Sequence, residues 1–463
     1  VTDHGVASAV GASVGDAAVK EFEAGSRGPL LRPGDGGYDV SRQLWNGMFD
    51  RRPALIARCA GTADVVRAVN FARDNRVPVA VRGGGHSFPG HSVCDGGLVI
   101  DLSAMKGIRV DPAARTVRAQ AGAKWIDFDH ETQAFGLATT GGTASDTGIA
   151  GLTLGGGLGW LSSKHGLTVD NLISADVVTA DGGFLMASAT ENQDLFWGLR
   201  GGSGNFGVVT SFEYRLHAVG PTVLGGMVLY PLGKTREVLR LYRDFSRGAP
   251  DELTTYAGFL TPPGGDTVVA LICCYCGPLD TGKAVIAPLR SFGPPLQDML
   301  GPMPYAAQQC LTDAALPAGS RYYAKGGFLA DLPDPAIEVF AEYAANKPSP
   351  LSAVLVQTVC GAASRVAPDA TAFAHRKFPY APVIVSQWLD PRDAEKNVGW
   401  ARDFWGALHP FTAAGVYVND LGYDDEDRVR MAYGANYERL AALKRKYDPD
   451  NLFRLNPNIK PAA

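Results

Sequence analysis

Arg82-Gly-Gly-Gly-His-Ser-Phe-Pro-Gly-His91 is the stretch on which the fold of this chain turns. Before it, Ala54-Leu-Ile-Ala-Arg-Cys59 reads as a strand and Thr62 as an N-cap, and Val65, Val66, Val69 and Ala72 mark the apolar stripe of a helix. Val77-Pro-Val-Ala-Val81 reads as a second strand that runs straight into the glycines. Such a loop can bring backbone N–H groups close to an anionic ligand without demanding any particular fold.

Working outward, residues 97–102 read as a strand and residues 108–121 as a hairpin turning at Asp111-Pro112. Residues 125–135 read as a helix, and a glycine-rich passage fills 141–166. Residues 171–188 read as paired strands joined by Asp181-Gly182-Gly183. This is a mixed α+β domain that ends near Leu216. From about Gly220 the texture changes: strand-like segments at 223–230, 268–276, 353–359 and 383–388 alternate with amphipathic helices such as 235–245. That pattern predicts an antiparallel sheet with helices on one face. Residues 427–446 read as one helix, which Tyr447-Asp-Pro-Asp-Asn breaks. The first 25 residues are weakly patterned, poorly ordered or at most helical.

A length of 463 residues supports two or three domains with buried cores. A formal net charge of -4 argues against nucleic acid or an anionic membrane as the partner. The longest apolar run, 268–276, is too short to span a bilayer, so the chain reads as soluble. Cysteines stand at 59, 94, 273, 274, 276, 310 and 360, an odd number without framework spacing. They read as reduced, mostly buried thiols of a cytoplasmic protein. The numbering starts at Val1, and a removed leader stays open. Cys273, Cys274 and Cys276 sit in a strand-like apolar run with no histidine nearby, which favours core packing over a metal.

Gly202-Ser-Gly-Asn-Phe-Gly207 satisfies the dinucleotide fingerprint G-x-G-x-x-G. That fingerprint needs a strand before it and a helix after it. Here residues 191–199 read as helix and residues 208–214 alternate like a strand, so the Rossmann reading fails on context. Three glycine loops (82–87, 141–159 and 201–207) nevertheless fall in one presumptive domain. Each glycine costs stability wherever ordinary backbone would serve. A long, flat, anionic ligand such as FAD accounts for three such loops. On the residues alone, turns and a ligand site both stay open.

The same loops carry a family likeness. Arg82 to His91, Gly148-Ile-Ala-Gly-Leu-Thr-Leu-Gly-Gly-Gly-Leu-Gly-Trp160 and Asp194-Leu-Phe-Trp-Gly-Leu-Arg-Gly-Gly-Ser-Gly-Asn-Phe-Gly207 resemble three successive blocks of the berberine bridge enzyme-like flavoproteins, in the vanillyl-alcohol oxidase superfamily. Tyr417-Val-Asn419 and Tyr447-Asp-Pro-Asp-Asn-Leu-Phe-Arg-Leu-Asn-Pro-Asn-Ile459 resemble that family's C-terminal segment. The likeness runs in order from about residue 40 to the end and is nearest to bacterial members, several of which act in secondary metabolism and antibiotic biosynthesis. It implies a PCMH-type FAD-binding domain of two α/β subdomains over 41–218, after an N-terminal extension of 1–40. It also implies a substrate domain over 219–425 and a C-terminal segment, 426–463, returning to the FAD domain.

Residue by residue, the resemblance implies an 8α-histidyl bond from His86 to the flavin, with His91 the weaker candidate. Many relatives add a cysteinyl bond at the position of Ala144, and alanine cannot make it. A single covalent link is therefore expected. The matching positions that would contact FAD are Arg82, Gly83, Gly84, Gly85, Ser87, Gly90, His91, Gly142, Thr143, Asp146, Thr147, Gly148, Gly151, Gly156, Gly157, Gly159, Trp160, Asn171, Val209, Tyr417 and Asn419. Thr147 matches a position near the flavin face where a small residue is compatible with oxidase behaviour. No metal is expected.

For the chemistry, Gln357 matches a Glu or Gln position of relatives; it can orient a substrate but is no general base. Asp420 stands where relatives carry an aromatic, and reads equally as the base or as a loop acid beside residues 424–427. Tyr417 could act as a base only if positive charge lowered its pKa from about 10. His375, Tyr322, Tyr323 and Lys325 are further polar candidates, read as structural. The expected activity is an FAD-linked oxidase acting on an alcohol, amine or activated C–H of a small organic substrate, with O2 as acceptor and a monomer or homodimer as the unit. The alternatives are an oligosaccharide or sugar oxidase, a flavin-dependent oxygenase, and an inactive flavin-binding protein. A sugar site would expose Trp and Gln in the second domain, yet Trp388, Trp400 and Trp405 fall at core-like positions.

Overall fold

The computed structural model describes residues 14–463, and residues 1–13, part of the weakly patterned N-terminal stretch, lie outside it. Of the first 25 residues, Asp16–Gly25 form a helix whose Phe22 stacks on Phe71 at 4.7 Å. Leu30–Leu31, Leu55–Arg58, Leu98–Asp101 and Val79–Arg82 make a four-stranded sheet in that spatial order. Its last three strands are parallel, and helix Thr62–Asp74 crosses between two of them. Of the apolar stripe read from the sequence, Val65, Val69 and Ala72 are fully buried, Val66 is half-buried, and Ala68 completes the buried face.

A second sheet, wholly antiparallel, orders Ile108–Asp111, Thr116–Gln120, Val208–Arg215, Leu172–Val178 and Phe184–Ser188. The strand after Gly207 is therefore real, which is why the G-x-G-x-x-G loop cannot be a Rossmann turn. Between these two sheets the chain runs through the glycine loops.

The third sheet has eight strands, all antiparallel. Gln297–Asp298, Thr222–Pro231, Val268–Tyr275, Leu253–Leu260, Ala353–Thr358, Tyr380–Trp388 and Arg321–Gly326 lie in that order, with Gly301–Pro304 also pairing with Thr222–Pro231. Alternation decides its two faces. Leu224, Val228 and Tyr230 face the helices Thr235–Arg247, Leu279–Ser291, Asp334–Ala345 and Ala394–Leu408. Val223, Met227, Ala270 and Ile272 face Trp160 and Leu161 of the glycine-rich passage. The architecture is the α+β arrangement expected, an FAD-type pair of sheets beside an antiparallel sheet covered by helices.

Four strands of the third sheet, Leu253–Leu260, Arg321–Gly326 and the short Gln297–Asp298 and Gly301–Pro304, were not among the sequence expectations. The single helix expected over 427–446 is also corrected. It is four pieces, Glu426–Arg428, Val429–Tyr433, Gly434–Asn436 and Tyr437–Tyr447, interrupted at Gly434. Gly434 has φ +50°, which the right-handed helix does not admit. Among the described residues, no helix is long and apolar enough to cross a membrane.

Candidate functional site

A cavity of about 390 Å³ opens where the three glycine loops meet the helix-free face of the third sheet. Its wall is Gly83 to Phe88 from the first loop, Gly142, Thr143, Thr147, Gly148 and Gly151 from the second, and Ser203, Gly204 and Gly207 to Val209 from the third. The first two loops touch backbone to backbone: a Cβ at Gly84 would lie 2.4 Å from Gly148 Cα. At Gly151 and Gly204 an added Cβ would meet nothing within 4 Å, so bare main chain borders open space there.

The C-terminal segment clasps the third loop. Asn205 Nδ2 donates to Gly202 O and Pro457 O, and Ile459 N donates to Asn205 Oδ1. Lys444 Nζ donates to Asn205 O and Phe453 O at 2.8 Å and pairs with Asp448 at 2.6 Å, both side chains fully buried. A buried ammonium is tolerable only when its protons are all used in this way. Phe453, Leu455, Asn456 and Pro457 thereby become cavity wall.

His86 stands at the mouth of the first loop. Its ring stacks on Trp45 at 3.9 Å, and its Nε2, shielded from solvent, makes no hydrogen bond. Asp146 Oδ1 lies 3.4 Å away, an ion-pair distance outside hydrogen-bond geometry. Burial alone would raise the Asp146 carboxyl, but His86 and the Lys124 charge outweigh it and hold the group below its ordinary value. Burial and the neighbouring Arg51 lower His91 to about 4, so its imidazole is neutral at physiological pH.

The other end of the cavity is apolar with a few polar exceptions. Leu260, Ile272, Leu355, Val383 and Val385 project from the sheet, and Gln357 is 8% exposed with its Oε1 unpartnered. Tyr417 Oη accepts from Gly157 N at 3.0 Å, Leu158 N at 3.4 Å and Asn419 Nδ2 at 2.8 Å. Burial, helped by the charge of Asp420, nevertheless pushes the phenol up to about 12. Tyr417 is therefore a neutral donor, not a base. Asp420 is the only carboxylate lining the cavity among the described residues. Burial pushes it up to about 7, against a partial pull downward from Arg428. Its carboxylate fits because Gly326 has no side chain; a Cβ there would lie 2.8 Å from Asp420 Oδ2.

Residues 53–188 match the model of an FAD binding domain family, and residues 416–460 match the family described as berberine and berberine like. An FAD-linked oxidoreductase of Dictyostelium discoideum is 36% identical, over 96% of this chain and 97% of its own. The chain belongs to the berberine bridge enzyme-like FAD-linked oxidoreductases. (R)-6-hydroxynicotine oxidase of Paenarthrobacter nicotinovorans is 31% identical, with 94% and 97% of the two chains covered. The crystal structure of 6-hydroxy-D-nicotine oxidase from Arthrobacter nicotinovorans superposes with a TM-score of 0.86 at 29% identity, over 94% of this chain and 98% of that one. Family membership makes this an FAD-binding oxidase, and the cavity between the glycine loops is where its residues fit the cofactor: bare backbone from three loops, with open space at Gly151 and Gly204, and the His86 imidazole in the wall.

Of the positions matched to the family, Gly83, Gly84, Gly85, His86, Ser87, His91, Gly142, Thr143, Thr147, Gly148, Gly151, Val209, Gln357, Tyr417, Asn419 and Asp420 converge on the cavity. Eight do not line it. Arg82 turns its buried guanidinium to Ser41 O. Gly90 packs under the Phe49 ring, Gly156 against Phe373, and Gly157 and Gly159 serve through hydrogen bonds to Tyr417 and from Tyr256. Trp160 is core, and Asn171 ties His165 O and Leu167 O. Asp146 acts on His86 from outside the wall. Ala144 lines the cavity, and no cysteine does among the described residues.

Of the other polar candidates, Lys325 and Tyr323 bind Asp424, and His375 Nε2 meets Met431 O. Tyr322 stacks behind Trp45. Sequence reasoning missed Trp45, Phe88, Ser203 and Asn456. The last three lie in segments already quoted as motifs, so the glycine-loop and C-terminal signals could have found them.

Proposed function

We propose that the chain is an oxidase with FAD attached covalently through His86 alone, acting on a compact, largely apolar amine or alcohol with O2 as electron acceptor. The observation that carries the substrate reading is Asp420, a lone unpaired carboxylate in an otherwise apolar cavity. A group poised near neutrality is matched to taking a proton from a substrate N–H or O–H. Gln357 Oε1 offers a second acceptor that would orient the same donor group. Tyr417 Oη accepts from Asn419 and two backbone N–H groups and, as a neutral phenol, keeps its own proton available to donate. When bound, FAD supplies the hydride acceptor and passes the two electrons to O2 as H2O2.

The apolar sheet residues exclude water and favour flat hydrocarbon surface over hydroxyl-rich rings. No tryptophan lines the cavity among the described residues, and Trp388 and Trp400 are core, which weighs against the oligosaccharide reading. The hydroxynicotine oxidase relative makes nitrogenous ring compounds the first to test. The test is peroxide release in air from matched panels of apolar cyclic amines, benzylic-type alcohols and oligosaccharides. Turnover confined to the first two panels supports the reading; turnover confined to oligosaccharides overturns it.

A further inference from the structure

The His86 imidazole is held on one face and at one edge, and by different parts of the chain. On the face, Trp45 stacks with an interplanar angle of 20°, and Tyr322 of the third sheet backs Trp45 at 3.7 Å and 15°. The indole cannot drift. Its Nε1 donates to Leu316 O at 3.0 Å, its backbone N–H donates to Gly85 O at 3.1 Å, and its carbonyl accepts from Gly319 N at 2.8 Å. Phe88 closes on the imidazole edgewise, with centroids 6.3 Å apart. At the ring edge stands Asp146, 3.4 Å from Nε2.

We infer that Trp45 and Asp146 form the device that makes the flavin bond: Trp45 positions the imidazole, and Asp146 accepts its Nε2 proton as the bond forms. The inference rests on the covalent reading proposed above. The adjacent carboxylate favours the tautomer with its proton on Nε2, which leaves the lone pair on Nδ1. Nδ1 then bonds to the methyl carbon of the cofactor. One C–H bond of that methyl would break, its proton staying with the two electrons on the cofactor. The imidazole N–H proton would pass to Asp146, and O2 would take up both electrons and both protons as H2O2. The balance is one methyl C–H and one N–H consumed, one C–N bond formed, and O2 reduced to H2O2. Asp146 is ready for the role because it is held ionised.

The arrangement also ties attachment to assembly. Trp45 reaches its place only when Tyr322, Leu316 and Gly319 are in theirs, so the third sheet must be docked before His86 is correctly presented.

The test compares wild type with Asp146→Asn, Trp45→Leu and Trp45→Phe. Each is purified with excess FAD and incubated in air. Flavin that stays with acid-precipitated protein is measured against flavin released, over time. Asp146→Asn is expected to bind FAD but to link it about 10²-fold more slowly, the usual scale for a lost proton acceptor. Trp45→Leu is expected to bind FAD and link only a minor fraction, with Trp45→Phe restoring most of it. If wild type itself releases its flavin in acid, the covalent reading falls and this inference with it. If wild type retains it and Asp146→Asn and Trp45→Leu link at the wild-type rate, only the inference is overturned. If Asp146→Asn holds no flavin of either kind, Asp146 is a binding residue and the proton-acceptor role is wrong.

Discussion

The two sides of the cavity are built on opposite terms. On the cofactor side the wall is main chain: Gly83 to Gly85, Gly148, Gly151 and Gly204 present backbone; a Cβ at Gly84 or Gly148 would collide with the facing loop, and one at Gly151 or Gly204 would stand in open space. On the substrate side the wall is side chains standing on a sheet, Leu260, Ile272, Leu355, Val383 and Val385, with Gln357 and Asp420 as the polar exceptions. The first arrangement fixes one ligand rigidly. The second fixes only size, polarity and the position of a proton acceptor, so it can change substrate by exchanging a few side chains while the cofactor site stays as it is.

The contrast is sharpest at Asp420. Asp420→Asn keeps the shape and removes the acceptor, and should lower kcat by about 10²- to 10⁴-fold with flavin content unchanged. The pH dependence sharpens it further. The carboxyl is raised to about 7 in the folded protein, so it works as a base only above that value. Wild-type kcat/KM should therefore fall as pH drops through about 7, and the limb should vanish in Asp420→Asn. For stability the sign is reversed. Folding favours the protonated form, so this group's contribution is full below about 4 and is lost as pH rises through about 7.

Lys444→Met breaks the cofactor side from behind. It leaves Asp448 buried without its cation and frees Asn205 O and Phe453 O, so unfolding free energy should drop by about 3–5 kcal/mol. Denaturant titration of the flavin-loaded protein checks it. Gly84→Ala forces a methyl into Gly148 main chain and should cost about 1–3 kcal/mol, together with weaker flavin retention. Gln357→Leu, on the forgiving side, should raise KM by about tenfold, the scale of one lost hydrogen bond, with little change in kcat. If Gly84→Ala proves neutral and Gln357→Leu abolishes flavin binding, the division between the two sides is wrong.

The same division explains what the sequence disclosed. A backbone-built site writes itself as glycine, so the loops around His86, Gly148 and Gly204 could be read without a structure. The sheet face could not, because alternation reveals which residues share a face but not what that face looks upon. Arg321–Gly326 hid as a strand because Lys325 is polar, although Asp424 and Asp425 pair it in the fold. Leu253–Leu260 carries Thr254, Thr255 and Gly258, which blur its pattern. The break at Gly434 was overlooked because a lone glycine in a helical pattern is often tolerated. Trp45 lies in a short helix-and-coil segment with no period, and its partner carbonyl on Leu316 is 271 residues away. Asp420 was legible as an oddity, but its solitude in the cavity emerged only from packing.

The measurement that tests the central claim most directly is peptide mapping by tandem mass spectrometry of the purified, proteolysed protein. The account predicts the flavin mass on the peptide that contains Arg82 to His91, localised to His86, with no flavin on any cysteine peptide. Flavin found entirely free after denaturation, or attached at any residue other than His86, would contradict it.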